Sequence, residues 1–160
     1  MSGKVVFTVG AVLRGDDAAG PMLAKMMQDK PINGWSVVDG GQMPEDELAP
    51  IRRMEPDILL LVDAAQMGLE PGAIRVVDEK SVATDFLVTT HSLPITFLLD
   101  ELKSCCGKVV FLGIQPADME FMGALHPQVR AAVEKIYDFL AKGADFAFDT
   151  TAVACESSKH

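Results

Sequence analysis

The chain has 160 residues, of which 49% are hydrophobic, and a formal net charge of −9 at pH 7. This length and apolar content predict one domain with a sizeable core. The acidic balance, with no run of Lys or Arg, argues against nucleic acid and anionic membranes as partners, because both attract basic patches.

Short β-branched runs alternate with helical patterns along the chain. Three of these runs are almost continuously apolar, which is typical of strands covered on both faces. Another, AIRVVD, carries a charge in its middle and is expected at a sheet edge. The expected strands, in chain order, are Lys4–Val9, Trp35–Asp39, Ile58–Ala64, Ala73–Asp78 and Lys108–Ile114.

Helical patterns fill the intervals between the strands. The first helix is expected to have Pro21 in its first turn, and a second spans Glu47–Met54 with Pro50 near its start. A third follows Ser92, a residue suited to cap a helix, and the last ends near Leu140. This alternation predicts an α/β fold in which helices cover both faces of one sheet.

The domain boundary is expected where the periodicity stops. Residues 1–143 form the predicted α/β domain, and residues 144–160 form a C-terminal tail that we expect to be poorly ordered. No apolar run reaches the 18 or so residues of a transmembrane helix, and the N-terminus does not have the pattern of a signal peptide. Three cysteines, two of them adjacent at Cys105 and Cys106, predict unpaired thiols in a reducing compartment. We therefore expect a cytoplasmic protein.

The loop after the first strand, GAVLRGDDAAGP, combines two glycines with two carboxylates. Gly10 and Gly15 have the spacing of a phosphate-binding loop, but such a loop would continue with Lys and Ser or Thr. Here Asp16 and Asp17 follow, and carboxylates repel a phosphate. The loop therefore predicts a tight turn whose carboxylates serve a cation. Asp17 is expected to be exposed, so that its loss would affect function rather than stability.

Three polar residues are predicted at one rim of the sheet. Asp17 follows the first strand, Asp63 ends the most hydrophobic strand, and His91 precedes a helix. Ligands of open α/β sheets bind beyond the carboxyl ends of the strands. Two carboxylates and an imidazole that meet there form a ligand set for a divalent metal.

Each of these residues has an alternative interpretation. Either residue of the Asp16–Asp17 pair can cap a helix, and Asp63 can cap the loop after its strand. Asp39, in DGG, suits a turn or the ribose of a dinucleotide, although the glycine pattern of a dinucleotide site is absent. His91 can bind a backbone carbonyl. His126 precedes a helix that starts at Pro127, and the sequence assigns it no chemistry.

The motifs, taken together, resemble those of the hydrogenase maturation endopeptidases. The similarity extends from about Val5 to Leu140, and it is greatest to the subfamily that processes the large subunit of a formate-hydrogenlyase hydrogenase. The chain departs from the family pattern at Ala11, where Asn is usual. The segments that carry the resemblance are GAVLRGDDAAGP, VVDGGQMPED, LLLVDAAQMGLEPGAIRVVD, TTHSLP and VVFLGIQP.

This resemblance implies a three-layer α/β domain with a twisted, five-stranded, mostly parallel sheet between helices. It implies a protease that cuts near the C-terminus of a [NiFe]-hydrogenase large-subunit precursor after nickel insertion. The family's metal-contacting residues correspond to Asp17, Asp63 and His91. The implied partner is the nickel-loaded precursor. The nickel is supplied by that substrate rather than held stably by the free enzyme.

Three functions stay open at this point. The first is the endopeptidase, for which attack by water is favoured because the motifs contain no Ser or Cys with a base partner. A hydrolase of small molecules that carries its own metal is the second. A nickel metallochaperone or assembly adaptor, which binds the metal without cutting the precursor, is the third.

Overall fold

The protein is described by a computed structural model that covers residues 3–77 and 95–143. Five strands form one sheet in the order β2-β1-β3-β5-β4. The first four strands of this order are parallel, and β4 runs antiparallel to β5 at the edge. The bounds are β1 Lys4–Thr8, β2 Trp35–Asp39, β3 Ile58–Ala64, β4 Ile74–Val77 and β5 Lys108–Ile114.

Four α-helices lie in the part of the chain that the structure describes. They are α1 Ala19–Asp29, α2 Leu48–Met54, α3 Ile95–Lys103 and α4 Pro127–Ala141. Short 3-10 turns at Gly15–Ala18 and Pro44–Glu47 lead into α1 and α2. Pro50 is the third residue of α2, where its missing N–H would have no partner within the helix.

The alternation of side chains along the central strands builds two cores. In β3, Leu60 and Val62 pack toward α1 and α4, whereas Leu59 and Leu61 pack toward α2 and α3. All four of these side chains are fully buried. The period of two in a strand divides successive residues between the faces. Helices therefore cover both faces of the sheet, which confirms the three-layer, mostly parallel α/β fold.

The order of the strands reverses at β1. The chain passes from β1 through α1 to β2 on one side, and then through α2 to β3 on the other side of β1. In open α/β sheets, a crevice for ligands opens at such a reversal, beyond the carboxyl ends of the two strands. By this rule, the expected ligand site lies beyond Thr8 of β1 and Ala64 of β3.

The strand predictions agree with the structure to within one residue wherever both ends are described, and the predicted last residue of the fourth strand, Asp78, lies outside the described residues. The first helix begins at Ala19, slightly before the expected start, because the 3-10 turn continues directly into it. Ser92, proposed as a cap of α3, and the predicted tail 144–160 lie outside the described residues. Within the described ranges, no helix has both the length and the apolar character needed to cross a membrane.

Candidate active site

Asp17 lies immediately beyond β1, in the 3-10 turn that precedes α1. Its side chain is 1% exposed. Its Oδ2 accepts a hydrogen bond from the backbone N–H of Ala11 at 2.8 Å. This bond closes the loop on itself and fixes the direction of the carboxylate. The expectation of an exposed loop residue is wrong, because the loop folds back over its own carboxylate.

Two glycines allow this loop to fold back. Gly10 has φ +150°, and a Cβ at this position would lie 2.1 Å from the carbonyl oxygen of Asp17. Gly15 has φ +57°, a left-handed conformation, and a Cβ at this position would lie 3.1 Å from the carbonyl oxygen of Asp118. The tight turn predicted from the sequence is confirmed. At Gly10 the absence of a side chain leaves room for the backbone of Asp17.

Asp63 lies near the carboxyl end of β3, in the strand adjacent to β1. It pairs in register with Gly113 of β5 and is 0% exposed. It stands two residues after Leu61, so its side chain faces the side of the sheet that α2 and α3 cover. The 3-10 turn that contains Asp17 packs against β3. The fold therefore brings Asp17 and Asp63 to the same edge of the sheet, where the order of the strands reverses.

His91, the third residue of the predicted set, lies outside the described residues. Its position in the sequence is four residues before α3, which begins at Ile95. Because a short connection joins the end of α3 to the start of β5, α3 runs against the direction of β5. Its first turn therefore points toward the carboxyl edge of the sheet. Within residues 3–77 and 95–143, no three His, Cys, Asp or Glu side chains cluster as a metal site.

Asp16 has a different role from that of its neighbour. Its carboxylate is 0% exposed and accepts backbone hydrogen bonds from Ala117, Asp118 and His126, at 2.7, 3.2 and 2.7 Å. These donors all belong to the loop between β5 and α4. Asp16 therefore fastens the β1 loop to that loop, and neither aspartate of the pair makes the helix-capping bond considered as an alternative.

His126 contributes to the same attachment, which sequence reasoning missed. Its imidazole Nδ1 lies 3.0 Å from Oδ2 of Asp16, and its Nε2 lies 3.5 Å from Oδ2 of Asp118. The only local signal is a histidine before a helix-starting proline. That signal does not reveal a partner far away in the sequence.

Gln115 is a second residue that the sequence does not single out. It follows β5, is buried, and accepts hydrogen bonds at its Oε1 from the backbone N–H groups of Met67 and Leu69 at 2.7 and 3.3 Å. Its Nε2 donates to Oε1 of Gln66 at 2.9 Å. Gln115 thus shapes the loop that leaves β3 just after Asp63.

Asp39 serves the turn after β2. Its Oδ1 accepts a hydrogen bond from the backbone N–H of Gly41 at 3.1 Å, as expected for an aspartate that starts a turn. The Gly41 carbonyl in turn accepts from the N–H of Gly10 at 3.0 Å. The DGG segment therefore supports the first residue of the Asp17 loop.

Of the two thiols that the structure describes, that of Cys106 is poorly reactive. Cys105 and Cys106 are half-buried at the end of α3, with their sulfur atoms 3.8 Å apart. Burial, together with the adjacent Cys105, raises the pKa of Cys106 to about 12. A thiol with such a pKa is protonated at neutral pH and is a poor nucleophile.

Known proteins are similar to this chain in sequence and in fold. The family of hydrogenase maturation proteases (HycI) matches residues 20–142. The hydrogenase 3 maturation protease of Escherichia coli is 43% identical over 136 residues, which cover 85% of this chain and 87% of that protein.

Solved structures of hydrogenase maturation proteases have a similar fold. A crystal structure of a hydrogenase 3 maturation protease has a TM-score of 0.83 at 41% identity, covering 90% of this chain and 92% of the other. The [NiFe] hydrogenase maturation protease HycI of Thermococcus kodakarensis has a TM-score of 0.77 at 26% identity, covering 87% and 90%.

Proposed function

The chain belongs to the hydrogenase maturation protease family and is a protease, and we propose that it removes the C-terminal extension of a [NiFe]-hydrogenase large-subunit precursor after nickel insertion. The observation that carries the proposal is the position of Asp17 and Asp63. Both carboxylates are buried at the carboxyl ends of adjacent strands, where the strand order reverses. The named [NiFe] substrate of the Thermococcus kodakarensis relative supports the class of precursor.

Asp17, Asp63 and His91 are the residues proposed to recognise the nickel that the precursor carries. The aspartates supply oxygen donors and His91 supplies nitrogen, a combination suited to a borderline divalent metal. The approach of α3 toward the carboxyl edge supports the inclusion of His91, which lies four residues before that helix in sequence. Because the metal arrives with the substrate, the free enzyme needs no stably bound ion of its own.

Hydrolysis by water is the proposed reaction. Water adds to the scissile carbonyl carbon, the C–N bond breaks, and the proton passes to the departing amine. Asp17 or Asp63 accepts the proton of the attacking water as general base. Within the described part of the chain, the high pKa of the Cys106 thiol argues against a thiolate nucleophile at that residue.

Recognition through the substrate's nickel explains why cutting would follow metal insertion. Without nickel, the two carboxylates meet no cation, and their negative charges disfavour a polypeptide carbonyl placed beside them. With nickel in place, the same charges hold the precursor against the enzyme. The order of the two maturation steps then follows from the binding of nickel by these residues.

The cellular setting proposed here is the cytoplasm, without nucleic acid or membrane as partner. The net charge of −9 supports the exclusion of these two partners, since it opposes binding to the phosphates of nucleic acids and lipids. It also favours a partner whose contacting segment is neutral or basic.

The decisive experiment incubates the protein with nickel-loaded and nickel-free large-subunit precursor and follows the C-terminal peptide by mass spectrometry. We expect wild type to cut only the loaded precursor, and His91→Ala to cut neither while keeping the melting temperature of wild type. Equal cutting of both precursors by wild type would disprove recognition through nickel. Normal cutting by His91→Ala would remove His91 from the site.

The same experiment separates the other candidate functions. A metallochaperone or adaptor would bind the loaded precursor and leave its mass unchanged. A small-molecule hydrolase would retain stoichiometric metal through purification and ignore the precursor. Metal analysis of the purified protein by mass spectrometry therefore accompanies the assay.

A further inference from the structure

We propose that two apolar β-turns beside the candidate active site form the docking surface for the precursor polypeptide. The surface consists of Val12, Leu13, Phe121 and Met122 and is called the paired-turn surface below. The inference rests on the proposed function for the identity of its partner. Its evidence comes from a part of the molecule that the catalytic proposal does not use.

Each turn presents two large apolar side chains at its tip. The N–H of Arg14 donates to the carbonyl of Ala11 at 3.2 Å, which places Val12 and Leu13 at the centre of the first turn. The N–H of Gly123 donates to the carbonyl of Glu120 at 2.9 Å, which places Phe121 and Met122 at the centre of the second.

These four side chains are between 55% and 69% exposed. Turn centres normally carry Gly, Pro, Asn, Asp or Ser, so folding does not explain the choice of residues.

The two turns form one surface because they are bonded to each other. The N–H of Met122 donates to the carbonyl of Leu13 at 2.6 Å, and the N–H of Asp16 donates to the carbonyl of Asp118 at 3.1 Å. The carboxylate of Asp16 adds its bonds to the same loop. The four apolar side chains are therefore held together on a rigid base, as in a preformed binding surface.

Met122 has a backbone conformation that favours glycine. Its φ is +65°, the left-handed region, at the third position of a turn where Gly or Asn is usual. A methionine here is strained, and it gains no burial in return, because it is the most exposed of the large hydrophobic residues described. Strain of this kind persists at functional sites. Methionine and phenylalanine are also enriched in protein interfaces.

The partner that binds the paired-turn surface is inferred from the residues next to that surface. The first turn starts at Ala11, whose N–H holds the carboxylate of Asp17. A precursor segment that binds next to Asp17 is therefore adjacent to Val12 and Leu13. Of the charged residues that flank the turns, Asp118 and Glu120 are acidic and Arg14 is basic. The acidic pair beside the second turn favours basic residues of the partner next to the apolar ones. The fitting partner is an apolar segment of the precursor, flanked by Lys or Arg, close to the cleavage point.

The test compares a paired-turn variant, with Val12, Leu13, Phe121 and Met122 all changed to Ser, with the matched control Phe97→Ser. Phe97 is also exposed, but it lies on α3 and makes no part of the surface. We expect the paired-turn variant to raise KM for loaded precursor by about tenfold or more with little change in kcat. Phe97→Ser should behave as wild type.

Met122→Gly separates binding from folding. Glycine relieves the left-handed strain, so the melting temperature should stay level or rise while KM increases. A variant that binds normally despite the missing side chain would count against the surface. A lower melting temperature together with normal KM would show that Met122 serves the fold.

Direct binding keeps this inference distinct from the proposed function. Surface plasmon resonance measures precursor on immobilised wild-type and variant protein, whether or not cutting occurs. Equal Kd values for wild type and the paired-turn variant would overturn the docking surface, even if processing is confirmed. Light scattering measures the oligomeric state of wild type and of the paired-turn variant. If wild type is a dimer and the variant is a monomer, the surface binds a second copy of the chain rather than the precursor.

Discussion

The buried carboxylate of Asp16 binds the backbone N–H of His126, a residue 110 positions later in the chain, and lies beside its imidazole. Oδ1 accepts the His126 N–H at 2.7 Å, and Oδ2 lies 3.0 Å from Nδ1 of the imidazole. This contact joins the loop after β1 to the start of α4. Because Asp17 is the next residue, the contact also limits how far the candidate catalytic carboxylate can move.

We expect Asp16→Asn to destabilise the protein strongly. An amide has one acceptor oxygen in place of two, and its NH2 group would face a buried N–H donor. Loss of such charge-assisted bonds costs about 2–4 kcal/mol. Denaturation in urea, followed by circular dichroism, measures the free energy of unfolding.

Asp118→Asn is the matched control. Its carboxylate is partly exposed and lies 3.5 Å from the imidazole of His126. The expected change in stability is at most about 1 kcal/mol, as for other exposed pairs. Equal losses of unfolding free energy for the two variants would show that the burial of Asp16 and its backbone hydrogen bonds add no stability beyond that of an exposed pair.

Gly10→Ala tests whether the loop needs a residue without a side chain. The new Cβ would lie 2.1 Å from the carbonyl oxygen of Asp17, so the backbone that carries Asp17 must shift. We expect a loss of both processing activity and melting temperature. Gly41→Ala is the control, because Gly41 also has positive φ, +55°, but nothing lies within 4 Å of the position that a Cβ would take there. If both variants lose activity equally, backbone conformation rather than the contact with Asp17 is responsible.

Local patterns are sufficient to predict the sheet and part of the site. The run Ile58–Ala64, apolar except for Asp63, is the central strand β3, and the interrupted run near Ile74–Val77 is the antiparallel edge strand. The sequence places Asp17 and Asp63 at strand ends, and parallel pairing of β1 with β3 brings those ends together. Periodicity and the rule for strand ends are therefore enough to predict the strands and the positions of these two aspartates.

Long-range partners are beyond such patterns. The burial of Asp16 depends on how two loops more than 100 residues apart close over each other. Neither loop has a periodic pattern, and a turn sequence such as AVLR does not specify what it packs against. For the same reason the sequence assigns His126 no chemistry, although it lies beside Asp16. The role of His91 stays a prediction.

The raised pKa of Cys106 predicts a specific dependence of stability on pH. In the unfolded chain this thiol ionises near 9.0, whereas in the folded protein its pKa is about 12. The contribution of Cys106 is therefore fully present below pH 9 and is lost as pH rises from about 9 toward 12. Urea denaturation measures the free energy of unfolding at pH 8 and at pH 10.5. Between these two pH values, Cys106→Ala should lose less stability than wild type does.

Alkylation gives an independent measure for the same thiol. At pH 9, native Cys106 should react with iodoacetamide far more slowly than the unfolded chain does, because thiolate is the reactive form. Peptide mass spectrometry distinguishes Cys106 from Cys105. Rapid labelling of native Cys106 would contradict the raised pKa.

Asp17→Asn should abolish processing and leave the fold intact. The amide oxygen of asparagine can still accept the hydrogen bond from Ala11, so we expect a stability cost of about 1–2 kcal/mol. Loss of the negative charge removes a proposed ligand or general base, and a general base contributes about 10²–10⁴-fold in rate. Cleavage of nickel-loaded precursor and thermal melting are measured on the same samples. Asp39→Asn is the control, because Asp39 supports a turn and has no proposed contact with substrate. If Asp17→Asn cuts at the rate of Asp39→Asn, the carboxylate of Asp17 takes no part in the reaction.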